Sequence, residues 1–253
     1  KKLKISLSSK QIEKLASIIN EKNDLEQKTK VRIIQEKEQL KHSIANISHD
    51  LRTPLTSIQG YLTLLKDCED KEEQEHYFSV IQAKTNYLTE LLQIFYDLSL
   101  IESEDYILEI EKIDVNRIVT DCLIDKYNEL KELTPTIKIE NAPVWIIGNA
   151  VACKRIIDNL VTNAIRYSDD DIEIVMDADG IFTVKNTTSE LKNIDVNILF
   201  QKFYTVDTSR SNGNTGLGLY IVKELLNKIE GGIKEISYKN NILTISVYFK
   251  LCY

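Results

Sequence analysis

The chain contains 253 residues, of which 43% are hydrophobic and 28% charged, and its formal net charge is −7. This composition supports a folded core with one large domain or two ordinary ones, and it excludes a disordered polymer. The acidic balance argues against nucleic acid as the main partner, because nucleic-acid-binding proteins present a basic face. A small anion in a locally positive pocket remains compatible with it.

The cysteines are scattered and include no Cys-x-x-Cys pair; they are Cys68, Cys122, Cys153 and Cys252. This spacing favours reduced thiols over a disulfide framework and indicates no zinc site. No run approaches the ~18 apolar residues of a membrane span, and no signal peptide is visible. Because the chain begins with Lys1 instead of Met, we interpret it as a fragment that lacks its N-terminal portion.

Residues 1–38 are highly charged, with apolar residues at intervals and neither glycine nor proline. The pattern predicts a helical linker that is coiled coil in part, since nothing nearby in the sequence can bury so long a lone helix. A surface helix that packs on its own chain is the alternative.

A helical apolar pattern continues from this linker, with spacings of three or four residues. His49 and Asp50 lie beside its apolar face, and Pro54 is expected to break the helix, because proline removes a backbone donor and clashes with the preceding turn. A solvated histidine on a coiled-coil flank also fits the composition. The apolar face comprises Ile44, Ile47, Leu51, Leu55, Ile58, Leu62 and Leu65.

The charged run at 66–73 predicts a hairpin turn, and a second helix with one apolar side follows it. Two antiparallel helices of this kind form half of a four-helix bundle, and a twofold dimer buries the other half. The sequence therefore predicts a homodimer through a helical domain at residues 39–101. The apolar side of the second helix contains Tyr77, Ile81, Leu88, Leu91, Leu92, Phe95 and Leu98.

Residues 101–105 are polar and acidic and are predicted to link the helices to a domain at 106–253. There strands and helices alternate with hairpins, which predicts an α/β sandwich with helices packed on a sheet. Asp114 is the expected N-cap of its first helix. Strands are predicted at 106–113, 135–140 and 144–147, hairpins at 171–186 and 234–249, and later helices at 151–167 and 217–229.

The predicted helix at 151–167 carries a polar strip. Asn159 and Asn163 are four residues apart, so their amides share a face, which Arg166 and Tyr167 extend. Amide oxygens suit Mg²⁺ and a guanidinium suits phosphate. A solvated helix face explains the same residues equally well.

Three of the eight glycines, Gly213, Gly216 and Gly218, precede the last predicted helix. Glycines at a helix N-terminus let backbone N–H groups approach an anion such as phosphate. The turn lacks the Lys-Ser/Thr of a P-loop and does not follow a strand, which disfavours P-loop and dinucleotide-binding folds.

Together these segments resemble a sensor histidine kinase of a bacterial two-component system. The stretch HDLRTPLT at 49–56 resembles the family's phosphoacceptor box, the helix with Asn159 and Asn163 its N box, 199–204 its F box and 213–219 its second glycine box. The boxes occur in the family's order, and the resemblance covers about residues 35–250. It implies a dimeric four-helix bundle followed by an ATP-binding α/β sandwich of the Bergerat (GHKL) type.

The resemblance also implies roles in catalysis. His49 accepts the γ-phosphoryl group of ATP, and Asp50 accepts the other ring N–H of that histidine, which fixes its tautomer. The phosphoryl group then passes to an aspartate of a response regulator. Thr53 lies one helical turn after His49, where the family uses Thr or Asn in dephosphorylating the regulator. The family further implies the cytoplasmic portion of a cell-membrane protein, attached through an N-terminal sensor segment.

For the nucleotide, the resemblance implies Asn163 as the Mg²⁺ ligand and Asn159 near the triphosphate. Arg166 then neutralises phosphate charge, and Tyr167 stacks near the adenine. The phosphates are cradled by the backbone at Thr215, Gly216, Leu217 and Gly218. A mobile lid spans about residues 188–214, and Phe200 and Phe203 anchor it to the core, although plain core packing explains these two rings as well.

One box departs from the family pattern. The family has Asp-x-Gly-x-Gly after the strand that follows the N box, whereas here Asn186 occupies the place of the aspartate and neither glycine is present. Asparagine keeps a carbonyl acceptor for the adenine amino group but loses the charge. Two alternatives follow: a catalytically weak or inactive dimeric scaffold or phosphatase, and a different ATPase of the same fold, such as a chaperone or topoisomerase relative, which lacks a His49 box.

Overall fold

The computed structural model describes the backbone of residues 10–103, 106–192, 194–206 and 216–252. Its N-terminal part is a hairpin of two long helices, α1 (Lys10–Asp67) and α2 (Lys71–Glu102). The long predicted helix is thus confirmed from residue 10 onward, and residues 1–9 of the predicted linker lie outside the described part. Within that part, none of the helices combines the length and hydrophobicity that a membrane crossing requires.

The predicted hairpin turn is confirmed at residues 68–70, between the two helices. Asp70 caps α2, because its carboxylate accepts hydrogen bonds from the amides of Glu72 and Glu73 at 2.8 and 3.4 Å. The rings of Tyr61 and Tyr77 meet across the hairpin with their centroids 5.6 Å apart. The turn therefore holds the two helices in an antiparallel arrangement.

The predicted break at Pro54 is wrong, because α1 continues through this residue as a single helix. Proline costs the interior of a helix ~3 kcal/mol through one lost hydrogen bond and a ring clash. Here Pro54 is buried in the part of α1 that packs along α2, and this packing outweighs a single lost bond. The amphipathic pattern therefore prevails over the proline.

The apolar faces of the hairpin are only partly covered within one chain. On α2, Leu91 and Leu98 are buried, whereas Leu92, predicted for the same side, is 58% exposed. Leu55 and Leu62 of α1 are 50% and 46% exposed. Leu98 is covered by the α/β domain, whose core it joins, whereas the exposed leucines are open to a further partner.

The C-terminal part is an α/β sandwich, as predicted. Its five-stranded sheet has the order β2-β4-β5-β7-β6, with β2 and β4 parallel and the other pairs antiparallel, and β1 and β3 form a separate antiparallel pair. The strands are β1 Glu111–Asp114, β2 Thr134–Ile139, β3 Trp145–Gly148, β4 Asp171–Met176, β5 Ile181–Thr187, β6 Gly232–Lys239 and β7 Ile242–Tyr248. The helices are α3 Val115–Asp125, α4 Tyr127–Leu130, α5 Ala150–Tyr167 and α6 Gly218–Lys228, with a 3-10 turn at Val196–Phe200.

The predicted strand at 106–113 is largely wrong, because only its end, in β1, pairs with another strand. The four residues of β3 are all matched by β1, so residues 106–110 have no strand to pair with. Side chains hold this segment instead: Lys228 donates to the carbonyl of Tyr106 at 3.1 Å and Asn149 to that of Glu109 at 2.9 Å. The alternating pattern at residues 106–110 therefore predicted a strand for which the fold provides no pairing partner.

The core lies between the sheet and the helices α5 and α6, whose buried faces follow the predicted spacing. Along β5 the buried positions alternate as Phe182, Val184 and Asn186. The last of these places a polar side chain on the inner face of the sheet, beside α5. An amide on an otherwise apolar face marks the point where the core opens into a cavity.

Candidate functional site

A cavity of about 660 Å³ lies between α5, β5, the turn before α6 and the helix α2. Its volume falls within the range of small-molecule sites, roughly 300–1,000 Å³. The structure brings most of the predicted nucleotide residues together around it. Those lining it are Asn159, Asn163, Arg166, Tyr167, Asn186, Gly216 and Gly218.

The polar strip of α5 faces this cavity, as its spacing predicted. Asn159 donates its side-chain N–H to the carbonyl of Arg155 at 2.8 Å, which orients the amide. Its Oδ1 lies on the other side, where a Cβ added to Gly218 would meet it at 2.8 Å. The amide oxygen of Asn159 therefore lies close against the start of α6, which packs beside α5.

The side chain of Asn186 is oriented so that it presents a hydrogen-bond acceptor to the cavity. The residue is 4% exposed, and its Nδ2 donates to the carbonyl of Tyr167 at 3.1 Å. Because a backbone carbonyl only accepts, the NH₂ end of the amide must face Tyr167. The Oδ1 end is then the polar atom that the side chain offers to a ligand in the cavity.

The described end of the glycine turn (residues 213–218) lies against the segment that carries the predicted F box (199–204). Gly216 has φ +64°, and a Cβ there would lie 2.6 Å from the carbonyl carbon of Phe203 and from the oxygen of Tyr204. The N–H of Phe203, itself at φ 64°, donates to the carbonyl of Gly216 at 2.9 Å. Only glycine fits this close approach without strain.

The other residues predicted for the phosphate cradle have different positions. Leu217 is fully buried and is not among the residues that line the cavity. Thr215 lies outside the described residues. Phe200 is 4% exposed in the core, and Phe203 packs partly buried against it; a role of these rings in anchoring a lid stays a prediction.

The helix α2 forms a wall of the cavity that the sequence did not indicate. Tyr87, Leu91, Gln93 and Ile94 line it together with the α/β domain. Their spacing is that of an ordinary helix face, so no local pattern separates them from residues that pack only within the hairpin. This wall depends on the docking of the two parts of the chain.

The predicted acceptor lies at the same height along the hairpin as this wall. In an antiparallel hairpin, twelve residues back from Tyr61 on α1 and twelve forward from Tyr77 on α2 reach the same level. His49 is therefore level with the part of α2 between Tyr87 and Leu91. The side chain of this histidine lies outside the described residues.

The two residues predicted to assist the histidine are also in α1. The side chain of Asp50 lies outside the described residues, and Thr53 is exposed on the helix surface. Thr53 follows His49 by four residues within one unbroken helix. The two positions therefore share a helix face.

Among the described residues, no group of three or more His, Cys, Asp or Glu side chains is arranged to hold a metal ion. Amide oxygens with nucleotide phosphates are a different donor set, and one that suits Mg²⁺, which usually takes one or two protein ligands beside substrate phosphates and waters. Asn163 and Asn159 supply such oxygens at the cavity wall. The residues present therefore fit Mg²⁺ held jointly with a triphosphate.

Two family models match the chain in sequence order. The His Kinase A (phospho-acceptor) domain matches residues 39–104, and the histidine kinase-, DNA gyrase B- and HSP90-like ATPase matches residues 148–251. The solved structure of the Acinetobacter baumannii histidine kinase AdeS has the same fold, with a TM-score of 0.63 at 23% identity over 81% of this chain and 98% of AdeS.

Curated relatives agree with both family models. The sensor histidine kinase YcbM of Bacillus subtilis is 31% identical over 221 residues, which cover 82% of this chain and 71% of YcbM. The sensor histidine kinase WalK of the same organism is 30% identical over 223 residues, which cover 82% of this chain but 36% of WalK.

The phospho-acceptor domain before this ATPase domain distinguishes the chain from chaperones and topoisomerases. The alternative of a different ATPase with the same fold is therefore excluded. The ATPase domain implies ATP as the cofactor. No finding favours an inactive scaffold. The chain therefore belongs to the sensor histidine kinases, the ATP-dependent protein kinases that phosphorylate themselves on histidine and signal through a response regulator.

Proposed function

We propose that His49 is the phosphoryl acceptor of this kinase and that ATP binds in the cavity between α5, β5 and the glycine turn. One observation carries the proposal: the cavity that gathers the nucleotide residues is also lined by α2 at the level of His49. A phosphoryl donor in this cavity therefore faces the part of the hairpin that carries the acceptor.

The nucleotide is proposed to lie with its adenine at β5 and its phosphates at α6. Asn186 accepts a hydrogen bond from the adenine amino group through Oδ1, since its Nδ2 is bound to the carbonyl of Tyr167. Arg166, exposed at the rim, neutralises phosphate charge. The backbone at 215–218 is proposed to cradle the phosphates, because the positive end of a helix dipole favours an anion at the start of α6.

Asn163 is proposed as the Mg²⁺ ligand, with Asn159 beside the triphosphate. When bound, the ion would polarise the phosphate oxygens and stabilise the negative charge that develops during transfer. Asn159 is oriented by its bond to the carbonyl of Arg155 at 2.8 Å and faces Gly218. The two amides therefore contact different parts of the Mg²⁺–triphosphate from one helix face.

His49 is proposed to act as the nucleophile through one ring nitrogen while Asp50 accepts the N–H of the other. A carboxylate beside the ring fixes the tautomer and stabilises the positive charge that develops as the P–N bond forms. The bond from the γ-phosphorus to the leaving oxygen breaks in the same transfer, so ADP departs with that electron pair. Catalysis is then mainly positioning and electrostatic stabilisation.

The remaining parts of the proposal concern assembly. Residues 1–38 serve as a helical linker, 39–101 as the dimerisation and phosphotransfer domain, and 106–253 as the catalytic domain. The open apolar side chains Leu55, Leu62 and Leu92 suit a homodimeric four-helix bundle. Thr53 takes part in dephosphorylating the response regulator, and an N-terminal sensor segment attaches the protein to the cell membrane with this portion in the cytoplasm.

Incubation of the chain with γ-labelled ATP and Mg²⁺ tests the proposal. We expect label that is labile to acid and stable to alkali, and its loss in His49→Gln and in Asn163→Ala. Two matched controls, His76→Gln on the exposed surface of α2 and Asn227→Ala on the exposed side of α6, should label normally. Labelling that survives His49→Gln contradicts the assignment of the acceptor, and labelling that survives Asn163→Ala contradicts the assignment of the metal ligand.

A further inference from the structure

The last residue of α2 is bound to both sides of the segment that leads into the glycine turn. Glu102 Oε1 lies 2.5 Å from the ammonium of Lys202, and it accepts a hydrogen bond from the hydroxyl of Tyr220 at 3.2 Å. Lys202 precedes residues 207–215, and Tyr220 follows them on α6. One carboxylate of the helical domain therefore joins Lys202, next to the F-box residue Phe203, to Tyr220 in the first turn of α6.

Aromatic contacts reinforce this cluster. The Lys202 ammonium lies 5.5 Å from the ring centroid of Phe203 and 5.7 Å from that of Tyr220. Burial, and then the carboxylates of Glu224 and Glu102, raise the pKa of Tyr220. The phenol is therefore protonated at neutral pH and acts as a donor to Glu102.

The cluster continues into the glycine turn through the backbone. Phe203, next to Lys202, donates its N–H to the carbonyl of Gly216 at 2.9 Å, and the Cα of Gly216 packs against the Phe203–Tyr204 backbone. A shift of Lys202 therefore moves the support on which the turn rests. The position of Gly218 against Asn159 depends on the same support.

A second acidic residue of α2, Asp97, forms an ion pair with α5, which is the opposite wall of the cavity. Asp97 pairs with the guanidinium of Arg155 at 2.6 Å and accepts a hydrogen bond from Gln93 at 2.9 Å. The Asp97 side chain is only 10% exposed, so water screens this pair weakly. Arg155 lies one turn before Asn159 and accepts that residue's side-chain N–H through its carbonyl.

Apolar packing joins these two polar contacts. Leu98 and Ile101, on the same turns of α2, are 7% and 4% exposed and belong to the core of the α/β domain. The end of α2 is thus docked on both α5 and the base of the glycine turn. These are the two elements between which a nucleotide phosphate must fit.

We propose that Asp97 and Glu102 are positioning residues, which hold α5 and the glycine turn in register so that nucleotide affinity depends on the docking of α2. The inference rests on the proposed nucleotide site. Coupling between two binding equilibria is reciprocal, so bound nucleotide in turn strengthens the docking of the catalytic domain on the hairpin. A movement of α2 that pulls Glu102 from Lys202 then loosens the phosphate cradle without contacting the nucleotide.

Charge reversal in the full chain tests this coupling. Glu102→Lys and Lys202→Glu should each weaken binding of the non-hydrolysable analogue Mg·AMP-PNP, measured calorimetrically, by roughly fivefold or more, because a partly exposed pair contributes up to about that factor before repulsion is added. The double variant E102K/K202E should return the dissociation constant to within about twofold of the unchanged chain. Lys250→Glu, which breaks the Glu230–Lys250 pair on the same domain, should bind normally.

The outcomes separate the coupling from the site on which it rests. Normal or tighter binding by both single variants overturns the proposal, and so does a double variant as weak as the single ones. Failure of the unchanged chain to bind AMP-PNP contradicts the proposed nucleotide site instead. If thermal melting shows that a charge-reversal variant does not fold, Glu102→Gln is measured in its place. This variant keeps a hydrogen-bond acceptor for Tyr220 but loses the charge. It must weaken nucleotide binding by about twofold or more if the coupling holds.

Discussion

Gly216→Ala is expected to weaken nucleotide binding strongly while leaving the fold intact. The residue lies at φ +64°, where a non-glycine residue costs about 1–2 kcal/mol. An added Cβ would also approach the Phe203 and Tyr204 backbone to 2.6 Å, below any ordinary contact distance. Because backbone atoms cannot rotate away as a side chain does, the turn itself must move.

The expected size of this effect follows from those two costs. Together they exceed about 2 kcal/mol, which corresponds to roughly a thirtyfold loss of affinity if the turn must adopt its observed shape to bind phosphate. Calorimetric titration with Mg·AMP-PNP measures the loss, and thermal unfolding reports the fold. The matched control is Gly60→Ala, because Gly60 lies in α1 with nothing within 4 Å of an added Cβ. Unchanged affinity in Gly216→Ala would refute the proposed role of the turn.

Three further predictions concern stability, the regulator and assembly. Hydrogen bonds from Lys138 and Lys185, at 2.7 Å each, lower the pKa of Glu173. The stability that these bonds confer is fully present above the pKa of about 4.3 that the carboxyl has in the unfolded chain, and it is lost as the pH falls through the pKa of the folded state. Glu173→Gln should therefore lower stability by about 0.5–1 kcal/mol at pH 7 and by much less near pH 3 in urea titrations, and an equal loss at both values contradicts the ionic explanation. Thr53→Ala should keep autophosphorylation and lose dephosphorylation of the phosphorylated regulator, and loss of both argues against a specific role. Leu62→Glu should shift the mass measured by light scattering from two chains to one, whereas Val151→Glu, 63% exposed on the α/β domain, should not; a dimer that survives Leu62→Glu contradicts the bundle interface.

Local periodicity predicted most of the α/β domain because its elements obey local rules. Asp114 caps α3 as expected, by accepting from the amide of Asn116 at 3.1 Å. The turn at Asn240 and Asn241 has positive φ at both positions, the conformation that two-residue hairpins favour. Such signals lie within a few residues of the structure that they determine, so a single sequence suffices to read them.

The errors arose where a distant partner decides the outcome. Residues 106–110 alternate like a strand, but β3 offers no further residues for pairing. Pro54 breaks an isolated helix, whereas in α1 it is buried in the stretch that packs along α2. Both cases depend on the neighbours that the chain acquires on folding, which spacing within one segment does not reveal.

In the candidate site, too, local spacing predicted some features, whereas contacts between residues distant in the sequence determined others. Spacing placed Asn159 and Asn163 on one face, and the structure directs that face into the cavity. The orientation of Asn186 depends on the carbonyl of Tyr167, nineteen residues away in the sequence. The contribution of α2 depends on Asp97 meeting Arg155 across the two domains. Residue types were thus predictable, whereas the contacts that orient them were not.

Mapping of the phosphorylated residue tests the central claim most directly. Trypsin releases residues 42–52, a peptide that contains both His42 and His49. After incubation with ATP and Mg²⁺ and digestion at alkaline pH, fragmentation mass spectrometry distinguishes the two positions. The proposed mechanism predicts phosphate on His49 alone. Phosphate on His42, or on a residue outside this peptide, would contradict it.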